Sequence, residues 1–208
     1  MITVVVSSYK YGHLAAHCIE TLLSQSYRPQ KILFVDDGVG DCAHLPKLYP
    51  QVDFVLREEN LGTVANFQDM LNRVETKYCM FLGADNWLRS DAIETFYKVL
   101  SDLQYPDVIT YDIILTGELK ETRIRHHAQE MSKHQGDYHW HITGHHGSMV
   151  YRTQLAKDLG GYTKFNDSHQ TLEDLSLWSK FMKAEAKVAY IDEPFLYYRH
   201  HRQNFNSY

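Results

Sequence analysis

The sequence predicts an α/β fold in which a mostly parallel central sheet is flanked by helices. Short β-branched runs alternate with amphipathic segments through the first hundred residues, and this alternation is typical of a doubly wound sheet. Polar side chains follow several of the runs directly, as expected where ligands bind at the carboxyl ends of parallel strands. A length of 208 residues suits a single domain over 1–208 and is short for two.

The individual elements follow from the spacing of apolar residues. The apolar runs predicted as strands are 2–6, 31–38, 52–57, 77–83 and 107–115. The amphipathic segments predicted as helices are 14–25, 62–75, 91–103 and 171–181. Ser90 can cap the third of these helices through its hydroxyl.

Composition excludes several classes of protein. The net charge is −5 and no basic block offsets it, which argues against a nucleic-acid partner. No apolar run approaches the roughly 20 residues that a membrane-spanning helix needs, so we expect no such segment. The three cysteines, Cys18, Cys42 and Cys79, follow no disulfide or metal-binding pattern. Reduced thiols in a cytoplasmic protein are therefore expected.

The polar groups that follow the strands should meet at one edge of the sheet. They are Ser7, Ser8 and Tyr9 after the first strand, Asp36 and Asp37 after the second, and Asp85 after the fourth. No G-x-G-x-x-G or Walker lysine loop is present, so neither a dinucleotide site nor a P-loop is indicated. Asp85 ends the apolar run "MFLGAD", where an acid serves as a helix cap, an ion-pair partner or a metal ligand.

A family resemblance rests on seven segments that occur in order over nearly the whole chain. They are "VVVSSYKYGHL", "LLSQSYRPQKILFVDDG", "NLGTVANFQDML", "KYCMFLGADNWLRSDAI", "GSMVYRTQLAKDLGGY", "EDLSLWSKF" and "YYRHHRQN". Together they resemble the family-2 glycosyltransferases, which have the Rossmann-like GT-A fold. The chain is also similar to small glycosyltransferase domains of algal viruses that decorate capsid proteins.

The resemblance implies a binding site for a sugar nucleotide, with UDP as the expected nucleotide. The implied nucleotide-binding residues are Ser7, Ser8, Tyr9, Asp37, Asn60, Gly62, Asn66 and Ala84. Asp37 can accept the imide N–H of uracil and Tyr9 can stack on the base. The alternatives are a rim aromatic that packs on the adjacent helix for Tyr9, and a turn residue before Gly38 for Asp37. A loop and helix start is the alternative for Asn60, Gly62 and Asn66.

A divalent cation, Mn²⁺ or Mg²⁺, is the cofactor that the resemblance implies. The family ends its fourth strand as D-x-D-D, whereas this chain has Gly83-Ala84-Asp85-Asn86 and keeps one of the three acids. Asp85 is the expected metal ligand, with donor diphosphate and water in the other positions, so the cation should bind weakly without nucleotide. His201 matches the family's Y-R-x-H-x-x-N pattern as a second ligand, and Arg199 or Arg202 could neutralise phosphate charge.

The catalytic acids are expected at the start of the 171–181 helix. By resemblance, Asp174 is the catalytic base, and Glu173 orients it or binds an acceptor hydroxyl. Acids that favour the helix dipole are the alternative interpretation of this pair. In "YHWHITGHHGS", His145 and His146 are expected to bind acceptor, with a zinc site or ordinary surface histidines as alternatives.

The sequence therefore predicts a metal-dependent, inverting glycosyltransferase. It would move a sugar from a UDP-sugar donor to a hydroxyl of a glycan or glycoprotein acceptor. We expect 1–103 to bind the donor and 104–208 to bind the acceptor and carry the catalytic acids. A sugar nucleotidyltransferase and a degenerate domain that binds nucleotide or glycan without turnover are the alternatives.

Overall fold

In the computed structural model the described residues are 1–126, 147–165 and 172–201. The strands among them are β1 (Ile2–Ser8), β2 (Lys31–Asp36), β3 (Asp53–Leu56), β4 (Tyr78–Gly83), β5 (Trp87–Leu88), β6 (Val108–Gly117), β7 (Thr122–Ile124), β8 (Met149–Arg152) and β9 (Val188–His200). The helices are α1 (Gly12–Leu23), α2 (Leu45–Leu48), α3 (Thr63–Arg73), α4 (Ala92–Asp102), α5 (Thr153–Asp158) and α6 (Glu173–Lys183).

One sheet contains all of these strands, in the order β3-β2-β1-β4-β8-β6-β9-β5, with β7 paired to β6. The pairs from β3 to β4 are parallel. Strand β8 runs antiparallel to both β4 and β6, so β6 and its parallel partner β9 point the same way as β1. The mostly parallel α/β sheet predicted from the sequence is confirmed.

The register of the parallel strands brings their carboxyl ends level. Ser8 lies opposite Asp36 on β2, and Ser7 lies opposite Gly83 on β4. Asp36 in turn lies opposite Leu56 on β3. The loops that follow β1, β2, β3 and β4 therefore leave the sheet at one edge, where the polar residues of the sequence were expected to meet.

Both faces of the sheet are covered, which is why the parallel strands are apolar throughout. Alternate residues of β1 point to opposite faces. Val4 and Val6 join a core with α1 and α4, which also contains Ile19, Leu22 and Phe96. Val5 joins a second core with α3 and α6, which also contains Met70, Leu71, Trp178 and Phe181. Helices α1 and α4 therefore pack on one face of the sheet, and α3 and α6 pack on the other.

The nine predicted elements are all present, and each begins and ends within about two residues of its predicted bounds. The short elements β5, β7, β8, α2 and α5 and the long strand β9 were not predicted. The strand predicted over 31–38 ends at Asp36 because the Asp36 carboxylate accepts the N–H groups of Val39 and Gly40 and so closes a turn. Helix α1 begins at Gly12, two residues before its predicted start, with the Gly12 N–H donating to Asp41 Oδ2 at 2.9 Å.

Cys18, Cys42 and Cys79 are buried free thiols, and burial raises the pKa of Cys79 to about 11 and that of Cys42 to about 12. Within the described ranges, every helix is too short or too polar to cross a membrane.

Candidate active site

Asp37 lies just after β2, and its buried carboxylate is surrounded by hydrogen-bond donors. Oδ1 accepts the N–H of Leu61 at 3.1 Å and lies 3.3 Å from Arg57 Nε, while Oδ2 accepts Asn60 Nδ2 at 3.1 Å. Each carboxylate oxygen accepts about two hydrogen bonds, so one acceptor position on Oδ2 is left for a ligand. Asp37 therefore organises the loop before α3, and its role towards uracil stays a prediction.

Arg57, at the end of β3, connects Asp37 to helix α3. Its Nη2 donates to Asn66 Oδ1 at 3.1 Å and to Asp69 Oδ2 at 2.6 Å. The guanidinium side chain is 11% exposed and that of Asp37 is 3% exposed, so the ion pair between them is screened little by water. Asn66 Nδ2 donates onward to Ser7 Oγ at 3.2 Å, which joins α3 to the end of β1. We call Ser7, Asp37, Arg57, Asn60 and Asn66 the donor-side network.

The three residues expected at the end of β1 differ in orientation. Ser7 belongs to the donor-side network. Tyr9 is 38% exposed, and Lys10 Nζ lies 4.9 Å from its ring centroid. Ser8 is different, because its hydroxyl is buried 3.5 Å from Cys42 Sγ on the α1 side of the sheet. The Ser8 hydroxyl therefore lies on the face of the sheet opposite to that of Ser7, since successive strand residues point to opposite faces. A contact of Ser8 with nucleotide stays a prediction.

Gly62 and Ala84 adjoin the network through their backbones. Gly62 precedes α3 with φ +77°, and its C=O accepts the N–H of Asn66. The Ala84 N–H donates to the C=O of Ser7 at 2.9 Å, which ties the loop after β4 to the end of β1. Both residues therefore shape the edge of the sheet where the nucleotide is expected.

Asp85 faces His201, which follows β9. Oδ2 of Asp85 and Nε2 of His201 lie 3.1 Å apart, and Asp85 is 5% exposed. Burial raises the pKa of the Asp85 carboxyl, and the hydrogen bond to His201 acts in the opposite direction. The His201 ring also meets Tyr11 edge-on, with ring centroids 5.4 Å apart. Of the alternatives for Asp85, a helix cap is wrong because α4 begins beyond it, after Asp91.

Arg199 and Asn86 fasten the end of β9 to the loop after β4. The Arg199 N–H donates to Asn86 Oδ1 at 2.8 Å, and Arg199 Nε donates to the C=O of Asp85 at 3.0 Å. The guanidinium lies 4.9 Å from the Trp87 ring centroid. These contacts fix the backbone two residues before His201, so they set the position from which its imidazole reaches Asp85.

Gly83 stands where the family has its first acid. A Cβ at this position would lie 2.5 Å from Asp85 Oδ1 and 2.8 Å from Asn86 Nδ2. The space of the missing side chain is therefore filled by Asp85 and Asn86, and the loop closes more tightly than a larger residue would allow.

The Asp85–His201 pair fits a hard divalent cation. Ligands about 2.1 Å from an octahedral ion and at right angles to each other lie about 3 Å apart, close to the 3.1 Å between Asp85 Oδ2 and His201 Nε2. Two protein ligands leave several positions for diphosphate oxygens and water. Asp36, Asp41 and Cys42 also lie close together, but Asp36 already accepts two backbone N–H groups.

Glu173 and Asp174 form the first turn of α6, as the sequence predicts. Oδ1 of Asp174 accepts the N–H of Leu175 at 2.7 Å, which satisfies one free donor of the helix terminus. Burial raises the pKa of the Asp174 carboxyl, and this backbone N–H opposes the shift. Burial also raises the pKa of the Tyr162 phenol, and the charges of Asp174 and Glu173 act in the same direction. The acid pair thus lies beside a buried tyrosine.

Three of the predicted site residues cannot be placed, and two residues of the observed site were not predicted. His145, His146 and Arg202 lie outside the described residues. Arg57 was missed although it ends a predicted strand at the same edge as Asp37, and that position was the available signal. Asn86 was counted only as a lost acid, and nothing in the sequence indicated its bond to a residue 113 positions away.

The order of the strands and the helices on both sides of the sheet are those of the GT-A fold. Residues 3–161 match the family model "Glycosyl transferase family 2", and the chain belongs to that family. The predicted family and fold are thus confirmed, while the similarity to algal-virus domains stays a prediction.

Curated relatives and solved structures agree with the family. "Glycosyltransferase GlyA" of Streptococcus pneumoniae is 29% identical over 107 residues, which are 50% of this chain and 15% of GlyA. "Glycosyltransferase GlyG" of the same organism is 24% identical over 218 residues, covering 96% of this chain and 70% of GlyG.

S. aureus TarS 1-349 in complex with UDP aligns with a TM-score of 0.74 at 17% identity, over 96% of this chain and 60% of TarS 1-349. The complex of TarS 1-349 with UDP-GlcNAc aligns with a TM-score of 0.75 at 15% identity. This alignment covers 98% of this chain and 59% of the TarS chain. At these identities the likeness shows the fold.

Arg57 and Arg73 both pair with Asp69, and we expect them to contribute unequally to the stability of the protein. Arg57→Met should lower the free energy of unfolding by about 3–5 kcal/mol, because it leaves the buried Asp37 carboxylate without its ion pair. Arg73 lies 2.6 Å from the same Asp69 oxygen but is 44% exposed, so Arg73→Met should cost about 0.2–1 kcal/mol. Urea unfolding of the two variants tests the difference, and equal losses would contradict the role given to Arg57.

Proposed function

We propose that this domain transfers a sugar from a UDP-sugar to a hydroxyl of a glycan or glycoconjugate, with inversion at the anomeric carbon. The observation that carries the proposal is the approach of Asp85 and His201 to 3.1 Å at the same sheet edge as the donor-side network. The UDP and UDP-GlcNAc complexes of TarS support the choice of donor, since that protein shares the fold. The acceptor half is assigned to 104–208, with His145 and His146 as acceptor contacts.

The donor-side network would receive the nucleotide base. Tyr9 offers an exposed ring for stacking, and Oδ2 of Asp37 retains an acceptor position that suits the uracil imide N–H. Because Arg57 and Asn60 hold the Asp37 carboxylate in place, little side-chain freedom would be lost on binding. Guanine would place a different donor and acceptor pattern there, so the site should prefer UDP.

Asp85 and His201 would hold Mn²⁺ or Mg²⁺. When bound, the cation would offset the charge that grows on the departing diphosphate. Around it the protein's own groups act on the donor: Arg199, and Arg202 as a further candidate, would neutralise phosphate oxygens. Asp85 must be ionised to bind the cation, and its burial makes the bare carboxylate costly, which favours binding of cation and nucleotide together.

Asp174 would remove the proton of the acceptor hydroxyl. In an in-line displacement the acceptor oxygen forms its bond to the anomeric carbon as the bond to the diphosphate oxygen breaks, and the hydroxyl proton passes to the Asp174 carboxylate. Glu173, one residue earlier on α6, diverges from Asp174 by about 100° and would bind another acceptor hydroxyl. The raised pKa of Asp174 makes it a better proton acceptor than an exposed aspartate.

A non-catalytic domain that binds nucleotide is the second candidate, because only Asp85 remains of the family's D-x-D-D acids. Incubation with a panel of labelled sugar nucleotides and Mn²⁺ separates the two candidates. Release of UDP or transfer of the sugar is expected for an enzyme, and binding without turnover would favour the second candidate.

Cation and nucleotide should bind together. Calorimetry should show little Mn²⁺ affinity in the absence of UDP and clear affinity in its presence, because two protein ligands alone are too few to hold the ion. Asp85→Ala and His201→Ala should each remove the UDP-dependent binding. Tight binding of Mn²⁺ to the nucleotide-free protein, unchanged by Asp85→Ala, would contradict the assignment.

Restoring the family's first acid should weaken the cation site. Gly83→Asp adds a Cβ that would lie 2.5 Å from Asp85 Oδ1 and must displace that carboxylate. Mn²⁺ affinity in the presence of UDP should therefore fall. Asn86→Asp is the matched control, since it adds the same charge at a position that already has a Cβ and keeps an oxygen for the Arg199 N–H. Tighter binding by Gly83→Asp would show that charge outweighs geometry here.

Transfer should require ionised Asp174. Because burial raises the pKa of this carboxyl, the rate should fall on acidification at a pH above the value of about 3.9 that is ordinary for aspartate. Asp174→Asn should lower the rate by roughly 10²–10⁴-fold and abolish this acid limb. Glu173→Gln, in which the neighbouring negative charge is lost, should keep the limb and shift it to lower pH. An unchanged pH–rate profile in Asp174→Asn would assign the base elsewhere.

A further inference from the structure

Helix α3 contacts both the donor side and the helix of the catalytic acids. Asn66 belongs to the donor-side network, where it donates to Ser7 Oγ. Two residues further along, Oε1 of Gln68 accepts the N–H of Tyr162 at 2.8 Å. Tyr162 belongs to neither α5 nor α6 but to the segment 161–163 between them, which we call the 161–163 connector.

The connector approaches Gln68 closely because residue 161 is glycine. A Cβ on Gly161 would lie 2.2 Å from Gln68 Oε1, and its φ of +59° is one that larger residues rarely adopt. The preceding helix α5 ends in a Schellman pattern, with the Gly161 N–H donating to the C=O of Ala156 and the Gly160 N–H to that of Lys157. The close approach is thus built into the way α5 ends.

The other side of the connector is bonded to α6. Thr163 Oγ1 and Ser176 Oγ lie 2.7 Å apart, and Lys180 Nζ donates to the C=O of Gly161 at 2.7 Å. Ser176 lies two residues after Asp174, and its own N–H donates to the C=O of Leu172. The first turn of α6 is therefore held directly by a segment that α3 also holds.

The Tyr162 side chain makes this connection stiff. Its ring meets Phe67 of α3 and Phe81 of β4, with centroid distances of 5.2 and 5.0 Å, and its hydroxyl lies 2.8 Å from that of Tyr151 on β8. Tyr162 is 4% exposed. Packing of this density leaves few alternative positions for the connector.

We propose that Gln68 is a positioning residue for sugar transfer, which places Asp174 relative to the bound donor through the 161–163 connector. This inference rests on the proposed function, in which Asp174 is the base. The Gln68 side chain bonds Tyr162 and, within α3, Asn72 Oδ1 at 3.3 Å. It would act by fixing the distance between α3 and α6. An in-line displacement needs the reacting atoms about 3–3.5 Å apart, and a displacement near 1 Å is enough to cost about 10²-fold in rate.

The test compares Gln68→Leu with Gln68→Glu. Leucine has a similar volume and cannot accept the Tyr162 N–H, whereas glutamate retains a carboxylate oxygen at the same reach. Turnover is measured as UDP release from a panel of UDP-hexoses with Mn²⁺, and UDP affinity by calorimetry. Gln68→Leu should lower kcat by about 10–100-fold with UDP affinity close to wild type, and it should lower the melting temperature by several degrees because the Tyr162 N–H loses its acceptor. Gln68→Glu should restore kcat to within about threefold.

Two further variants separate positioning from general packing. Thr163→Val breaks the bond at the α6 end of the connector and should lower kcat in the same way. Gln154→Leu is the matched control, because Gln154 is exposed on α5 and bonds only its neighbour Asp158 among the contacts the structure gives it. It should leave kcat unchanged.

The outcomes are distinguishable. Wild-type turnover in Gln68→Leu, or a parallel loss of UDP affinity and kcat, would overturn the positioning role while leaving the proposed function intact. A wild-type protein that releases UDP from none of the donors would overturn the proposed function and this inference together.

Discussion

The buried guanidinium of Arg57 is the interaction on which the donor side of the molecule depends. It contacts oxygens of Asp37, which follows β2, and of Asn66 and Asp69, which both lie on α3, so one guanidinium joins two segments of the chain. Without it, the Asp37 carboxylate, at 3% side-chain exposure, would keep its hydrogen bonds from Leu61 and Asn60 but would have no positive charge to pair with, which is costly for a buried acid. Arg57 therefore offsets the cost of burying these acids. It also holds their oxygens in fixed positions, where they can accept hydrogen bonds.

The remainder of the site depends on the order of strands in the sheet. Strand β9 runs parallel to β6 and pairs with β5, so its end returns to the loop after β4. In this way His201 reaches Asp85 across 116 residues of sequence. The bonds of Arg199 to Asn86 and Asp85 then hold strand β9 close to its last residue. A site assembled from distant segments in this way forms only when the sheet is complete.

The sequence predicted what short-range physics controls. Apolar periodicity indicated β1, β2, β4, α3 and α4, and the alternation of these elements predicted a shared edge for Asp37 and Asp85. It could not indicate that the Ser8 hydroxyl turns towards Cys42, because the face that a strand residue takes depends on where the neighbouring helices pack. The hydrogen bonds of Arg57, Asn86 and Gln68 could not be predicted from the sequence either. Each of them joins residues that are brought together only by the tertiary structure.

Under the proposed function, the small number of acids after β4 would decide whether cation or nucleotide binds first. Each carboxylate removed lowers the affinity of the bare protein for a cation and also lowers the repulsion that a diphosphate meets there. Gly83 goes further, because the space of the missing side chain is taken by Asp85 Oδ1 and the Asn86 amide, so the remaining acid cannot simply be joined by another. Under the proposed function, with Arg199 fixed beside this loop, the nucleotide itself would be the principal anion at the site. The cation would then bind chiefly to the nucleotide, and the protein would contribute the geometry of the Asp85–His201 pair, whose ligand atoms lie 3.1 Å apart.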